Sequence, residues 1–391
     1  MLKKYLYFQP QYVREFVCDG SKCDARCCCK GWNIEVDAQT RAQYSRIKPV
    51  AAAQEILSHI KFNANDEKYS IDMGTTKICP FLNDEKLCRL QRDYGENFLS
   101  LTCMTFPRFT WNFGKFFERS LSLTCPVAAE MILFRDEPLS FELFENVEDD
   151  KAKVGMMTAP VPPEFAAHFV DVQIAMISIL QERTLTLDQR LIVLGFFVDR
   201  LDEIISDDLN VDALTKLIAA YESKSFLSTQ VPRMLATVNF DAKNFSRRML
   251  EALGALKGNL TFGNGQKIFD ADEKLSVAKL ADDCQRKNFA SRYATLLENF
   301  LVNELFLSCF PWRFQADFAK NFAVFVVTYK LFELLTFAAV QKNLCGRDEL
   351  LQLVDWFANQ TDHAAIVNDD LLKQFAADDI FSTLETFLEA T

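Results

Sequence analysis

From Phe165 onward, apolar residues recur three and four positions apart through segments near 165–183, 187–206, 210–224, 244–256, 286–308, 316–341, 347–359 and 369–389. That spacing places them on one face of an α-helix, so this stretch is predicted to be helical. Thr186 to Asp188 and Asn210 to Asp212 offer N-capping side chains, and Gly346 marks a stop before a helix beginning near Arg347. Upstream the pattern changes. One helix is expected through Thr40 to Ile60, interrupted near Pro49, and Lys68–Met73 and Arg108–Arg119 read as short strands. In the second strand segment Phe109, Trp111 and Phe113 alternate with polar or small residues up to Gly114, which suits a hairpin turn. Between Arg135 and Glu164, six acidic residues from Glu137 to Asp150 precede Pro160, Pro162 and Pro163, a composition that favours an exposed connection. The predicted fold is therefore mainly α: a small cysteine-rich metal-binding N-terminal domain with short strands (1–135), an acidic and proline-containing linker (136–163), and a helical C-terminal domain (164–391). One interruption, Leu260 to Phe269 around Gly263-Asn264-Gly265, reads as a surface turn or as a loop near a substrate cleft.

Composition agrees with helices. At 391 residues the chain exceeds the usual single-core size of about 250–300, which makes two domains the expectation. Thirty-six phenylalanines against twelve glycines favour helix-rich packing over a glycine-punctuated sheet. A net charge of −11 disfavours binding to nucleic acid or to an anionic membrane surface. The small basic group Arg247, Arg248 and Lys257 reads as a solvated helix face. Met1 to Tyr12 lacks a signal-peptide core, no uninterrupted apolar run of about 20 residues is evident, and a cytoplasmic location is expected.

The chemistry is concentrated in cysteine. Nine of twelve cysteines lie within the first 125 residues, in the spacing Cys18-x4-Cys23-x3-Cys27-Cys28 with a further thiol at Cys29, then at Cys79, Cys88, Cys103 and Cys125. Thiolates are polarisable anions that bind soft or borderline metals, and short loops can turn several toward one centre. Disulfides would need an oxidising compartment, and adjacent cysteines diverge too strongly for each to find a well-oriented partner. Only His59, His168 and His363 are present, so an all-thiolate site is expected, of zinc or of iron and sulfide. The expected ligands are Cys18, Cys23, Cys27, Cys28, Cys79, Cys88, Cys103 and Cys125. Cys284, Cys309 and Cys345 stand singly among helical residues and read as small buried hydrophobes.

Taken in order, several motifs resemble the flagellin lysine-N-methylase family. They are Phe16 with the cysteine run, Gly31-Trp32-Asn33-Ile34, Asp37 with Thr40 and Tyr44, Cys79-Pro80-Phe81-Leu82-Asn83, Leu87-Cys88, Cys103 before Phe106-Pro107-Arg108, and Ser122 to Pro126. In the helical part the resemblance continues at Leu297-Glu298-Asn299-Phe300-Leu301-Val302-Asn303 and Phe310-Pro311. One departure stands out: the family pattern places Gly-Trp one residue after the cysteine pair, whereas here Cys27-Cys28 is followed by Cys29 and Lys30. Either Cys29 is an insertion or the pair is Cys28-Cys29. The resemblance implies S-adenosylmethionine-dependent methylation of surface lysines on flagellin, with a four-iron (4Fe-4S) cluster. The rival reading is a non-catalytic zinc- or iron-binding interaction protein.

No residue is marked as a catalytic base. Asn299 and Asn303, four apart on one predicted helix, either face a ligand or bind backbone. No Gly-x-Gly-x-x-Gly loop follows a strand, and no Cys-x3-Cys-x2-Cys run is present, so a donor site would have to be of another kind.

Overall fold

The computed structural model describes residues 2–18, 20, 23, 26–64, 67–149, 156–206, 209–256, 260–262, 265–267, 283–313, 317–361, 373 and 379–390. The N-terminal third alternates short elements. These are β1 (Leu2–Pro10), α1 (Tyr12–Glu15), α2 (Ala38–Ser45), α3 (Val50–Ser58), β2 (Ile60–Asn63), β3 (Lys68–Ile71), α4 (Arg89–Tyr94), α5 (Leu101–Thr105), β4 (Arg108–Asn112), β5 (Phe116–Leu121) and α6 (Pro126–Leu133). After β6 (Phe141–Asp149) and β7 (Met157–Thr158) the chain is helical: α7 (Phe169–Leu180), α8 (Leu187–Ser206), α9 (Val211–Glu222), α10 (Lys224–Thr237) and α11 (Ala242–Ala255). It continues through α12 (Asp283–Arg292), α13 (Ala294–Leu307), α14 (Phe318–Gln341), α15 (Arg347–Thr361) and α16 (Ile380–Phe387). The mainly α expectation holds.

The sheet is larger than the sequence pattern suggested. Five strands run in the order β6-β1-β5-β4-β7, with β1 parallel to β5 and antiparallel to β6. Strand β1 was not anticipated because Tyr7 and Phe8 are buried on both faces, as suits an inner strand, and the alternation that signals a half-exposed strand is lost. In the acidic stretch expected to be a linker, Phe141 to Asp149 pairs residue for residue with Pro10 to Leu2. The boundary expected at 136–163 rests on composition. A large core runs from Phe8 through Trp111, Ile132 and the helices to Leu388, whereas Ile34, Tyr44, Ile56, Phe81 and Leu99 build a second core of their own.

Several helix ends follow their predicted caps: Asn210 Oδ1 accepts from the Ala213 amide, and Thr186 and Gln189 exchange hydrogen bonds across the first turn of α8. The expected 286–308 helix breaks at Tyr293 into α12 and α13. Helix α10 escaped notice because Pro232 lies inside it and only Val231 is fully buried. Of the expected 369–389 helix only its end, α16, falls within the described residues together with Lys373. The turn at Gly263-Asn264 also lies outside them, although Thr261 and Lys267 pair across it. Helix α14 is long and apolar enough to cross a membrane by length and composition, yet 94% of its most apolar window is buried in the protein. Gly195 lets α8 sit close to its neighbours, since a Cβ there would fall 2.8 Å from Leu384 and 2.9 Å from Phe322.

One polar pair is sealed between the sheet and α7. Gln173 donates to Glu118 Oε1 at 2.8 Å, while Glu118 Oε2 and Gln173 Oε1 are both buried acceptors with no donor. Burial holds the Glu118 carboxyl well above the usual range, the Gln173 hydrogen bond only partly opposing it. A proton on Oε2 turns that oxygen from an unpartnered acceptor into a donor. In the native state this proton stays bound, whereas the unfolded chain loses it above a pKa of about 4.3. The contribution is therefore complete below that value and declines as pH rises toward the folded pKa. Glu118→Gln is expected to flatten the fall in stability between pH 5 and 8, roughly, in urea titrations; an unchanged slope would show that Glu118 titrates normally.

Candidate functional site

The cysteine region is built on turns. Arg26 to Cys29 forms a single 3₁₀ turn, and the Cys28 carbonyl accepts the Cys79 amide at 2.8 Å. Gly31 follows at φ +69, where a Cβ would meet the Lys77 side chain at 2.7 Å, so only glycine fits the close approach of the two loops. From Cys79 to Cys88 the chain doubles back: Asn83 Oδ1 accepts the Leu87 amide at 2.7 Å and Leu82 pairs with Cys88. Ser100 caps α5 by accepting the Cys103 amide at 3.3 Å. Asp37 caps α2 through the Gln39 and Thr40 amides, both at 2.9 Å. Lys30 anchors the whole lobe to α15 through both oxygens of Asp355, at 2.9 and 2.8 Å.

Within this frame the thiols fall into two neighbourhoods. Cys27 and Cys28 place their sulfurs 4.0 Å apart, and Cys28 also hydrogen-bonds the Cys79 thiol. The hydrogen bond with Cys28 draws the Cys27 thiol down to about 7 and lowers that of Cys79, while Cys28, holding the shared proton, is pushed up. Cys88 and Cys103 lie within electrostatic reach of Cys79 and Cys27; burial raises both, Cys103 to about 12. Cys125 is raised to about 12 chiefly by burial and senses Cys23 and Cys18 instead. Cys29 is exposed. The adjacent pair that comes together is thus Cys27-Cys28.

The chemistry of this donor set suits a thiophilic metal. Two thiolates on one tetrahedral zinc, each about 2.3 Å from it, lie about 3.8 Å apart, close to the Cys27–Cys28 spacing. As they stand, no three His, Cys, Asp or Glu side chains among the described residues converge on one metal position.

The other candidates from the sequence have structural roles. Asn303 Oδ1 accepts from the buried Tyr12 hydroxyl at 2.6 Å, and Asn299 donates to the Arg135 carbonyl at 3.1 Å, so both tie α13 to the N-terminal segments. His59 ends α3 with its Nε2 3.3 Å from Glu55, and His168 precedes α7. His363 and Lys257 lie outside the described residues, as does the Cys284 side chain. Arg247 pairs along its own helix with Glu251. Cys309 is fully buried and Cys345 half-buried.

The FliB lysine N-methylase C-terminal domain matches residues 173–388, more than half of the chain. The chain belongs to the FliB lysine N-methylase family. It is 26% identical over 96% of its length, and 95% of the relative's, to a lysine-N-methylase of Salmonella choleraesuis (strain SC-B67). A lysine-N-methylase of Salmonella typhimurium is 25% identical over the same shares. A flagellar biosynthetic protein FliU of Salmonella muenchen is 34% identical across 34% of this chain and 79% of its own. No solved structure matches.

A second set of side chains lies in the helical part, all but Glu389 within the residues that the FliB domain matches. Arg183, Asp188, Arg190, Tyr329, Glu333 and Glu389 line a cavity of about 420 Å³. Its signal was present in the sequence as Lys330 and Glu333, two charges three residues apart in the middle of an otherwise apolar helix. In the fold Lys330 Nζ bridges Asp188 at 2.5 Å and Glu333 at 3.0 Å.

Proposed function

We propose that this protein is an S-adenosylmethionine-dependent lysine N-methyltransferase acting on flagellin, with a cysteine-ligated iron–sulfur cluster. The observation carrying this reading is the likeness to lysine-N-methylases along 96% of the chain, which includes both the cysteine lobe and the helical part. In the transfer, the neutral lysine nitrogen attacks the methyl carbon in line with the departing sulfur. The C–N bond forms as the C–S bond breaks, sulfur keeps the electron pair as a neutral thioether, and the proton shed by the amine passes to a base or to water. A lysine ammonium near pH 7 must lose a proton first, which requires desolvation or a nearby carboxylate.

Cys27, Cys28, Cys79 and Cys88, with Cys103 beside them, would hold the cluster, and Cys18, Cys23 and Cys125 form the second thiol neighbourhood. When bound, such a centre cross-links the loops that carry its ligands. The chain's own contribution is to pre-form those loops through Gly31, Asn83 and Ser100, and to fix the lobe on α15 through Lys30. The 4.0 Å Cys27–Cys28 spacing supports a second reading, a zinc-binding interaction protein with no methyl transfer.

Iron, zinc and acid-labile sulfide measured on protein purified without oxygen separate the two. Matching iron and sulfide, with flagellin lysines methylated on addition of S-adenosylmethionine, is the expected result. Stoichiometric zinc and unmodified flagellin would replace it with the interaction reading.

A further inference from the structure

Resting on the methyl-transfer reading, we propose that the 420 Å³ cavity between the Arg183–Arg190 segment, Ala290–Ala294 and α14 is the seat of the methyl donor. The ligand class is a nucleoside sulfonium with an amino-acid head group.

Size selects this class over a lysine side chain. The volume lies within the roughly 300–1,000 Å³ range of sites that enclose a whole small molecule. A lysine tail of four methylenes and one nitrogen would leave most of it empty. The contrast within the fold is a second cavity, walled by Glu304, Ser308, Arg313 and Thr328, whose 10 Å³ admits at most a water molecule.

Charge selects the same class. Arg183, Arg190 and Lys330 stand against Asp188, Glu298, Glu333 and Glu389, which leaves one net negative charge around the cavity. S-adenosylmethionine carries a carboxylate, an ammonium and a sulfonium, one net positive charge. Arg183 spends Nε and Nη2 on Glu298, and its Nη1 makes no hydrogen bond among the described residues. That Nη1 gives the cavity one donor for a carboxylate. On the α14 side, Glu333 Oε1 receives only the 3.4 Å hydrogen bond from Tyr329 among the described residues, leaving capacity for a cation. Lys330, 1% exposed, pins Asp188 and Glu333 from behind, so these carboxylates keep their positions when the cavity is empty.

The test is calorimetric titration of metal-loaded protein with S-adenosylmethionine and with S-adenosylhomocysteine, which lacks the sulfonium charge. Ser291→Trp places a large side chain at the exposed rim without touching the ionic groups, and Glu333→Gln removes one anionic wall. Expected are a loss of at least tenfold in affinity for both ligands in Ser291→Trp, with the circular dichroism spectrum retained, and a loss in Glu333→Gln larger for the sulfonium than for the thioether. Wild-type affinity in a folded Ser291→Trp protein would overturn the proposal while the methyl-transfer reading stands, as would donor binding lost only when Cys79 is replaced. No binding by the wild type would overturn both.

Discussion

On the cluster-bound reading proposed above, Cys79→Ser protein purified without oxygen is expected to lose the metal that these thiols would hold, and with it the methylation of flagellin. Cys79 is the thiol on which the first neighbourhood closes. It is buried, its sulfur hydrogen-bonds Cys28, and its amide binds the Cys28 carbonyl, so one residue joins the Cys27-Cys28 turn to the Cys79–Cys88 loop. Serine preserves the backbone bond and nearly the volume but offers a hydroxyl that does not ionise near neutrality and binds soft metals poorly. Affinity should fall by more than the roughly 10–100-fold that loss of a supporting outer partner costs a metal site. Cys29→Ser is the control, because that thiol is exposed and stands apart from the Cys27–Cys28–Cys79 set. Metal analysis of the two variants decides the matter: full metal in Cys79→Ser would remove Cys79 from the ligand set, and metal lost from Cys29→Ser would shift the adjacent pair to Cys28-Cys29.

How far the sequence disclosed this arrangement depended on the range of the interactions involved. Helix α9 announced itself because burial on one face repeats within the chain and capping is local, and α8 and α14 through long apolar runs. The hairpin at Gly114 was equally visible. By contrast β1 and β6 pair across more than 130 residues, and the inner strand is buried on both sides, so its pattern carries no alternation. The cysteines were conspicuous by density, but their division into Cys27, Cys28, Cys79, Cys88 and Cys103 against Cys18, Cys23 and Cys125 arises from which loops the small core brings together. The cavity was hidden for the same reason: Arg183, Asp188, Glu333 and Glu389 come from segments that meet only after α8, α14 and the C-terminal residues have packed. Asn299 and Asn303 drew notice as a pair, yet it was the preceding residue, Glu298, that proved to hold the ionic network.

Glu298→Ala is accordingly expected to cost about 3–5 kcal/mol in urea-induced unfolding, the usual price of stranding a buried charge. Glu298 is 2% exposed and accepts from Arg190 Nη1 at 2.7 Å, and Arg190 is itself buried at 5%. Arg183 adds a fork to the same carboxylate, but at 39% exposure water screens it and its share is small. Removal of Glu298 therefore leaves the Arg190 guanidinium inside the protein with the Leu180 and Leu185 carbonyls as its hydrogen-bond partners among the described residues. Those dipoles hold the side chain in place without neutralising it, so the cost is electrostatic and does not relax by rotation to solvent. Glu298→Gln keeps an acceptor for Arg190 and should lose less, which separates the charge from the hydrogen bond. An exposed pair gives the scale: Glu251→Ala, opposite Arg247 one turn away, should stay within about 0.5 kcal/mol of wild type. A Glu298→Ala loss no larger than that would mean that water reaches Arg190, and that the wall of the cavity is open where the packing closes it.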